Sequence, residues 1–383
     1  MRYRWAVLAA GTGAQASFSA LTVGLAVLAP VLREEYDLTL GEVGLVLAAG
    51  WIGATVTLLP WGLAADRYGE RVVLGVGLLG SAAFVVGAAY ATSFGSLLAF
   101  LMLAGAAGAS VNSASGRAVM HWFDASERGL ALGLRQTAIP LGGLVAALVV
   151  PRLASSGGSE AAFLFLAAFA AVGALAGALV VRGRDGDDGV EASSVARTLR
   201  DRRLLRLSSA SGLYVYAQVA VIGFGVLFLH DEHGLTDGAA ALVIAVSQAL
   251  AVGLRIGAGR WSDILGLRVI PLRRVGLAVS GSLAATAVLA GGPIWLLVPV
   301  LAITGALSMA WNGLAFTAAA ELAGASRSGA ALGFQQTVLS GLGVVAPLVF
   351  AATVSAGSWA TAFGIAVLFP LVGWRLLQPL RAY

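Results

Sequence analysis

The chain has 383 residues, of which 59% are hydrophobic and 11% charged, and its formal net charge is +5. Soluble domains average about half apolar and a quarter charged residues, so this composition excludes an ordinary soluble protein and indicates one embedded in a lipid bilayer. The sequence has no cysteine, and all 24 basic residues are arginine. Disulfides, cysteine metal sites and lysine Schiff-base catalysis are therefore excluded, and we expect no cofactor.

Twelve apolar runs follow one another along the chain, each close to the length of about 20 residues that a spanning helix needs. The first run is too long for a cleavable signal peptide, so we expect it to be an anchor. The first six runs lie at 5–31, 41–65, 72–92, 96–120, 128–152 and 161–181. The second six lie at 207–229, 239–259, 275–291, 294–318, 328–353 and 359–377.

A polar stretch separates these two sets of runs. It contains the charged segment RGRDGDDG and then the arginine-rich segment RTLRDRRLLR. The sequence therefore predicts an all-α membrane protein with twelve transmembrane helices in two pseudo-symmetric bundles. The expected parts are an N-terminal six-helix bundle at 1–181, a cytoplasmic linker at 182–206 and a C-terminal six-helix bundle at 207–383.

The arginines set the expected orientation. With the N-terminus in the cytoplasm, 20 of the 24 arginines fall at cytoplasmic ends or loops, as the positive-inside rule requires. Arg33 and Arg152 then lie outside, and Arg135 and Arg255 lie within helices. We expect a monomer in a bacterial-type inner membrane with both termini in the cytoplasm. Because topology accounts for the basic charge, we expect no nucleic-acid partner.

The two sets of runs are also related in sequence. Three collinear segments match at an offset of 197 residues for the first and 200 for the others, which indicates an internal repeat. Transporters are commonly built from such repeats, with the substrate site between them near the midplane. The matches are GLAADRYGER (62–71) with GRWSDILGLR (259–268), Gly105 and Asn112 with Gly305 and Asn312, and ASERGLALGLRQT (125–137) with ASRSGAALGFQQT (325–337).

The segment GLAADRYGER resembles the signature between helices 2 and 3 of the major facilitator superfamily, and the resemblance covers the whole chain. The second copy has Ile264 in place of Arg67, and Glu70 replaces a usually basic residue. The resemblance implies alternating access, in which the loop carboxylate pairs with the positive end of a helix and stabilises one conformation. The implied gating residues are Asp66, Arg67, Arg71, Asp263 and Arg268.

Within that superfamily, residues 112–143 are similar to the anion-transporting branches, the monocarboxylate transporters and the cyanate-permease-like group. Arg255, four residues before Gly259, matches the helix 8 arginine that binds carboxylate or nitrate in several of those transporters. The helix 4 arginine typical of proton-coupled drug exporters is missing, since its position falls near Leu101.

Arg135 and Arg255 are the main candidates for substrate binding. An arginine within a spanning helix costs about 2.5 kcal/mol or more and usually faces a cavity or a partner. Its planar fork suits the oxygens of a carboxylate or nitrate. The repeat does not impose the charge, because the equivalent residues are Gln335 and Leu58. The alternative is a structural arginine that bonds backbone carbonyls or extends to the interface.

Several uncharged polar side chains lie on the helices that line the cavity in this superfamily. They are candidates for orienting a substrate, and the alternative is that they join helices by hydrogen bonds. These residues are Gln136, Gln336, Asn112, Asn312, Tyr214 and Gln218.

No carboxylate clearly occupies the middle of a run, which argues against drug/proton antiport through a buried acid. Uniport, anion exchange and cotransport of a proton with the substrate remain open. We expect a secondary active or facilitative transporter of a small anion, with an organic carboxylate favoured, and not an enzyme. The alternatives are an exporter of drugs or amphiphiles and a membrane sensor that does not transport.

Overall fold

The computed structural model describes residues 2–123, 128–181, 200–324 and 327–380, which are helical almost throughout and contain no strand. In the first half the helices are α1 (Arg2–Glu35), α2 (Leu40–Ala89), α3 (Phe94–Gly108), α4 (Ser110–Trp122), α5 (Arg128–Gln136) and α6 (Ala138–Val180). In the second half they are α7 (Arg202–Gln218), α8 (Gly225–His233), α9 (Asp237–Leu265), α10 (Val269–Leu289), α11 (Ile294–Met309), α12 (Trp311–Ala323), α13 (Ser328–Ala356), α14 (Trp359–Ala366) and α15 (Leu368–Leu376).

These helices account for the twelve predicted apolar runs. Among the described residues, ten helical stretches are long and apolar enough to cross a membrane, and α7 with α8, bent by 45°, form an eleventh. One of the ten, Gly133–Val180, has 48 residues and contains most of the predicted runs 128–152 and 161–181. A straight helix of that length would measure about 72 Å, more than twice the roughly 30 Å of a bilayer core. The all-α membrane fold is therefore confirmed.

Glycines divide the two longest helices into separate spans. Gly69 interrupts α2 with a φ of 79°, a conformation that only glycine adopts without strain. Gly157 and Gly158 interrupt α6, and Gly158 has a φ of 65°. The first of these breaks lies inside the segment 62–71 that the sequence identified as a repeated loop.

The first described helix after the predicted linker begins inside the linker bounds. Helix α7 starts at Arg202, five residues before the predicted boundary at 207, because Asp201 caps its first turn by accepting from the backbone N–H groups of Arg203 and Leu204. Residues 182–199 of the predicted linker lie outside the described residues.

Equivalent spans of the two halves are broken at equivalent places. The predicted run 96–120 consists of α3 and α4, with a break at Ala109, and the run 294–318 consists of α11 and α12, with a break at Ala310. The two breaks are 201 residues apart, close to the repeat offset. Since the last turn of a helix has no intrahelical donors for its carbonyls, each break exposes acceptors inside the bundle.

The two halves meet along two main seams, where α9 packs against α6 and α13 packs against α2. We call the end of the bundle where α1 begins the proximal face and the opposite end the distal face. On the distal side the α2–α13 seam is close, since a Cβ on Gly44 would touch the carbonyl of Pro347 at 3.0 Å.

An ion pair joins the halves at the distal face. Arg33, in the last turn of α1, donates to the carboxylate of Asp231 in α8. His230 lies beside this pair, with Nδ1 at 3.3 Å from Asp231 and Nε2 at 3.8 Å from Asp237. Next to it, a cavity of about 510 Å³ is lined by α1, α6 and α9, and its walls include Ala147 and Arg152.

We expect the Asp231→Asn substitution to increase the fraction of molecules with an open distal face, because it removes the negative charge that pairs with Arg33 across the seam. A partly exposed ion pair contributes roughly 0.2–1 kcal/mol, so the open population should rise by about threefold. The chain has no cysteine, so maleimide labelling of Ala147→Cys reports this opening without background. Glu232→Gln, at an exposed neighbouring carboxylate, is the matched control. Equal labelling rates in both variants would show that the ion pair does not hold the face closed.

Candidate functional site

Arg135 lies buried within the first half, where it connects three helices. Its side chain, on α5, is 7% exposed. Nε donates to the hydroxyl of Ser115 on α4 at 2.9 Å. Nη2 donates to Oε1 of Gln15 on α1 at 3.1 Å and to the carbonyl of Asn112 at 3.4 Å. Its partners are all neutral groups.

Arg255 lies buried on α9 and reaches across the seam between the halves. Its side chain is 6% exposed. Nε donates to the carbonyl of Met309 at 2.8 Å, and Nη1 donates to the carbonyl of Gln136 in the first half. Nη2 is buried and has no hydrogen-bond partner among the described residues.

The helix breaks explain why carbonyls are available to Arg255. Met309 is the last residue of α11 and Gln136 is the last residue of α5, so each carbonyl lies at the negative end of a helix. A guanidinium group is favoured at such an end, and Arg255 is placed between two of them. Among the described residues, no carboxylate pairs with Arg135 or Arg255, so their positive charges are balanced only by helix ends and neutral groups.

The predicted amides divide into two groups. Asn312 lies beside the Arg255 site, where its Nδ2 is 3.4 Å from both the Met309 carbonyl and Oε1 of Gln218. Asn112 and Gln136 contribute their backbone carbonyls to the two arginines. Gln336 is half-buried on α13, and no hydrogen bond connects it to either arginine.

The structure does not connect Tyr214 to the arginines by a hydrogen bond. Its ring is buried in the second half, edge-on to Trp311 at 6.0 Å between centroids. It occupies the space left by Gly276 and Gly373, since a Cβ on either glycine would overlap the tyrosine. Its role in binding stays a prediction.

The repeated loop motif forms an ionic cluster in the second half. Arg268 donates to Asp263, and its Nε lies 3.0 Å from Oε1 of Glu321 at the end of α12. Burial lowers the pKa of Arg268, but the two carboxylates outweigh that effect and raise the pKa overall. In the first half, Arg67 and Arg71 are exposed, and the side chain of Asp66 lies outside the described part of the structure.

The sequence profile of the Major Facilitator Superfamily matches residues 10–347. The chain belongs to the Major Facilitator Superfamily. It is therefore a multi-pass membrane transporter and not an enzyme.

Similar proteins agree with this assignment. The uncharacterized MFS-type transporter Rv2994 of Mycobacterium tuberculosis is 34% identical over 98% of this chain and 86% of its own length. A hexuronate transporter of Bacillus subtilis is 23% identical over 61% of this chain and 58% of its own length. Among solved structures, a bacterial homologue of the human lysosomal transporter Spinster, in an inward-facing and occupied conformation, has a TM-score of 0.77 at 18% identity. That likeness covers 98% of this chain and 96% of the other.

The sequence did not predict some of the residues that contact Arg135 and Arg268. Ser115, which bonds Arg135, was not a candidate for binding, and Glu321 was not a candidate for the gate. The internal repeat does indicate one buried polar position that contacts the first helix of each half. Gln335, the equivalent of Arg135, also bonds the first helix of its own half, through Ser211 on α7 at 3.2 Å. Aligning the repeats at a constant offset therefore finds the position, although it does not find the partners.

Proposed function

We propose that the protein transports a small anion, with an organic carboxylate favoured, and that Arg255 is the main residue that binds this anion. The observation that supports this most directly is Nη2 of Arg255, which is buried at the contact between the halves and has no partner in the part of the chain that the structure describes. A buried guanidinium with an unused donor is unfavourable in free energy. An anion would supply both the missing acceptor and a compensating negative charge.

Arg135 provides a second positive charge in this proposal. It is held by Ser115 and Gln15, so its guanidinium is fixed before any ligand arrives. A preorganised group loses little freedom on binding, which favours affinity. Asn312 and Gln218, whose amides lie 3.4 Å apart, would orient neutral parts of the substrate, and Gln136, Gln336, Asn112 and Tyr214 are retained as further candidates.

The contact between Arg255 and Gln136 suggests how binding is coupled to movement. Gln136 belongs to the first half and Arg255 to the second, so their hydrogen bond holds the halves together. A substrate carboxylate that takes over the Nη1 donor would release this contact. Alternating access would follow as the two halves rock about the occupied site.

The wider setting of the proposal follows from charge and resemblance. The proximal face would be cytoplasmic, with both termini inside and the protein in the bacterial inner membrane, because the topology expected from the sequence assigns 20 of the 24 arginines to the cytoplasmic side. Asp66, Arg67, Arg71, Asp263 and Arg268 would act as the gate, and Glu321 joins them because it binds Arg268. One relative is a hexuronate transporter, and a hexuronate is a carboxylate, which agrees with a carboxylate substrate.

The proposal is tested by thermal stability of the purified protein against carboxylates, sulfonates, nitrate and neutral amphiphiles. A ligand at 100 times its Kd stabilises the folded state by about 2.7 kcal/mol, which raises the apparent Tm. We expect one class of anion to raise the Tm, and the same anion to be taken up by liposomes that contain the protein. Stabilisation by neutral amphiphiles alone would overturn the anion assignment.

A further inference from the structure

Gln248 is a buried amide that makes no hydrogen bond within the described part of the chain. It lies on α9, two turns before Arg255, and is 0% exposed. Neither its Oε1 nor its Nε2 has a partner among the described residues. An amide has two donors and an acceptor with two lone pairs, so an unbonded one is unfavourable inside a membrane.

The neighbouring residue shows that this helix can satisfy polar side chains. Ser247 is equally buried, and its hydroxyl donates to the carbonyl of Val243 at 3.0 Å. Ser247 faces α11, where a Cβ on Gly305 would lie 2.7 Å from its hydroxyl. Gln248 faces the other way, towards the first half of the protein.

Gln248 contacts the first half at a glycine, which leaves room for its side chain. It lies against Gly143 on α6, and a Cβ on that glycine would overlap Nε2 of Gln248. Gly143 is seven residues after Gln136, and Gln248 is seven residues before Arg255, which binds Gln136. The two chain segments therefore run antiparallel, and Gln248 and Arg255 lie at two levels of the same seam.

The spacing of the two side chains limits what can bind both. Seven residues of helix separate their Cα atoms by about 10 Å along the axis. A carboxylate that carries hydroxyl groups several carbons away can therefore contact both side chains only if it lies along the seam. A hydroxyl both donates and accepts, and so it complements the amide.

We propose that Gln248 is a specificity residue that binds hydroxyl groups of the substrate, and that the substrate class is hydroxylated carboxylates such as sugar acids. This inference rests on the proposed anion function, with the carboxylate at Arg255. A site built to bond a hydroxyl discriminates strongly against an analogue that lacks it, because its own polar group is then left unpaired.

The test compares two ligands of similar shape, D-glucuronate and cyclohexanecarboxylate, which both carry a carboxylate on a six-membered ring. Only the first has hydroxyl groups. Binding is measured by titration calorimetry on the full-length protein in detergent. We expect Gln248→Leu to weaken glucuronate binding by tenfold or more and to leave cyclohexanecarboxylate binding within about twofold. Gly143→Ala, which crowds the amide, should act in the same direction, and Ser247→Ala should change neither ligand.

The remaining outcomes separate this inference from the function on which it rests. If wild type binds both anions equally, Arg255→Gln weakens both by about 100-fold, and Gln248→Leu alters neither selectively, the anion site stands and the role of Gln248 is wrong. If wild type binds neither anion and no other carboxylate, both proposals fail. A Gln248→Leu protein with wild-type Tm but equal losses for both ligands would also overturn the specificity role, since that pattern indicates a structural effect.

Discussion

Arg255→Gln should reduce affinity for the transported anion by about 100-fold. The substitution removes a charge-assisted hydrogen bond at a buried site, for which a loss of roughly 3 kcal/mol corresponds to about two decades in Kd. The uncharged amide can still donate to the Met309 or the Gln136 carbonyl, so the fold should survive. The measurement is the Kd of the stabilising anion, with initial uptake rates in liposomes beside it.

Two further variants distinguish a loss of anion binding from a general effect of removing an arginine. Arg260→Gln removes an exposed arginine from the same helix and should leave the Kd unchanged. Arg255→Lys keeps the positive charge but loses the fork, so we expect an intermediate Kd. If Arg255→Gln lowers the Tm without ligand and leaves the Kd as in wild type, Arg255 only ties the helix ends together.

The sequence predicted the fold well because the membrane imposes a simple rule on it. Each span must be apolar and about 20 residues long, and backbone groups must be satisfied within helices, so hydropathy alone locates the twelve runs. The breaks at Ala109 and Ala310 were not predicted, because neither a proline nor a charged residue stands at them and each lies within a run long enough to be read as one span.

The candidate site was predicted in its charges and not in its contacts. Arg135 and Arg255 stood out because a charge is rare inside a span. The acceptors of Arg255 are backbone carbonyls of Met309 and Gln136, and any residue type supplies a carbonyl. Gln15 and Ser115 lie 120 and 20 residues from Arg135 in the chain, so only the packing of α1, α4 and α5 reveals them.

Gly53→Ala should strongly destabilise the first half, because Gly53 lies where α2 packs closely against α3. A Cβ on Gly53 would overlap the carbonyl oxygen of Met102 and would lie 2.6 Å from the backbone nitrogen of Ala106. The obstacle is helix backbone and cannot rotate away. The helices are also fixed by hydrogen bonds of 2.7 Å from Thr57 and Trp61 to the Ala106 carbonyl, so the contact cannot widen without losing them.

Overpacking of a tight contact costs about 1–3 kcal/mol, and backbone obstacles put this site at the upper end, which for a chain of 383 residues corresponds to a fall in apparent Tm of about 4 °C. Gly50→Ala is the matched control, one turn earlier on α2, because a Cβ there meets nothing within 4 Å. Both variants remove the same glycine flexibility, so a difference in Tm isolates the steric contact. Equal Tm values would mean that α2 and α3 do not approach as closely in the membrane, and that close packing of small residues is not what holds the first half together.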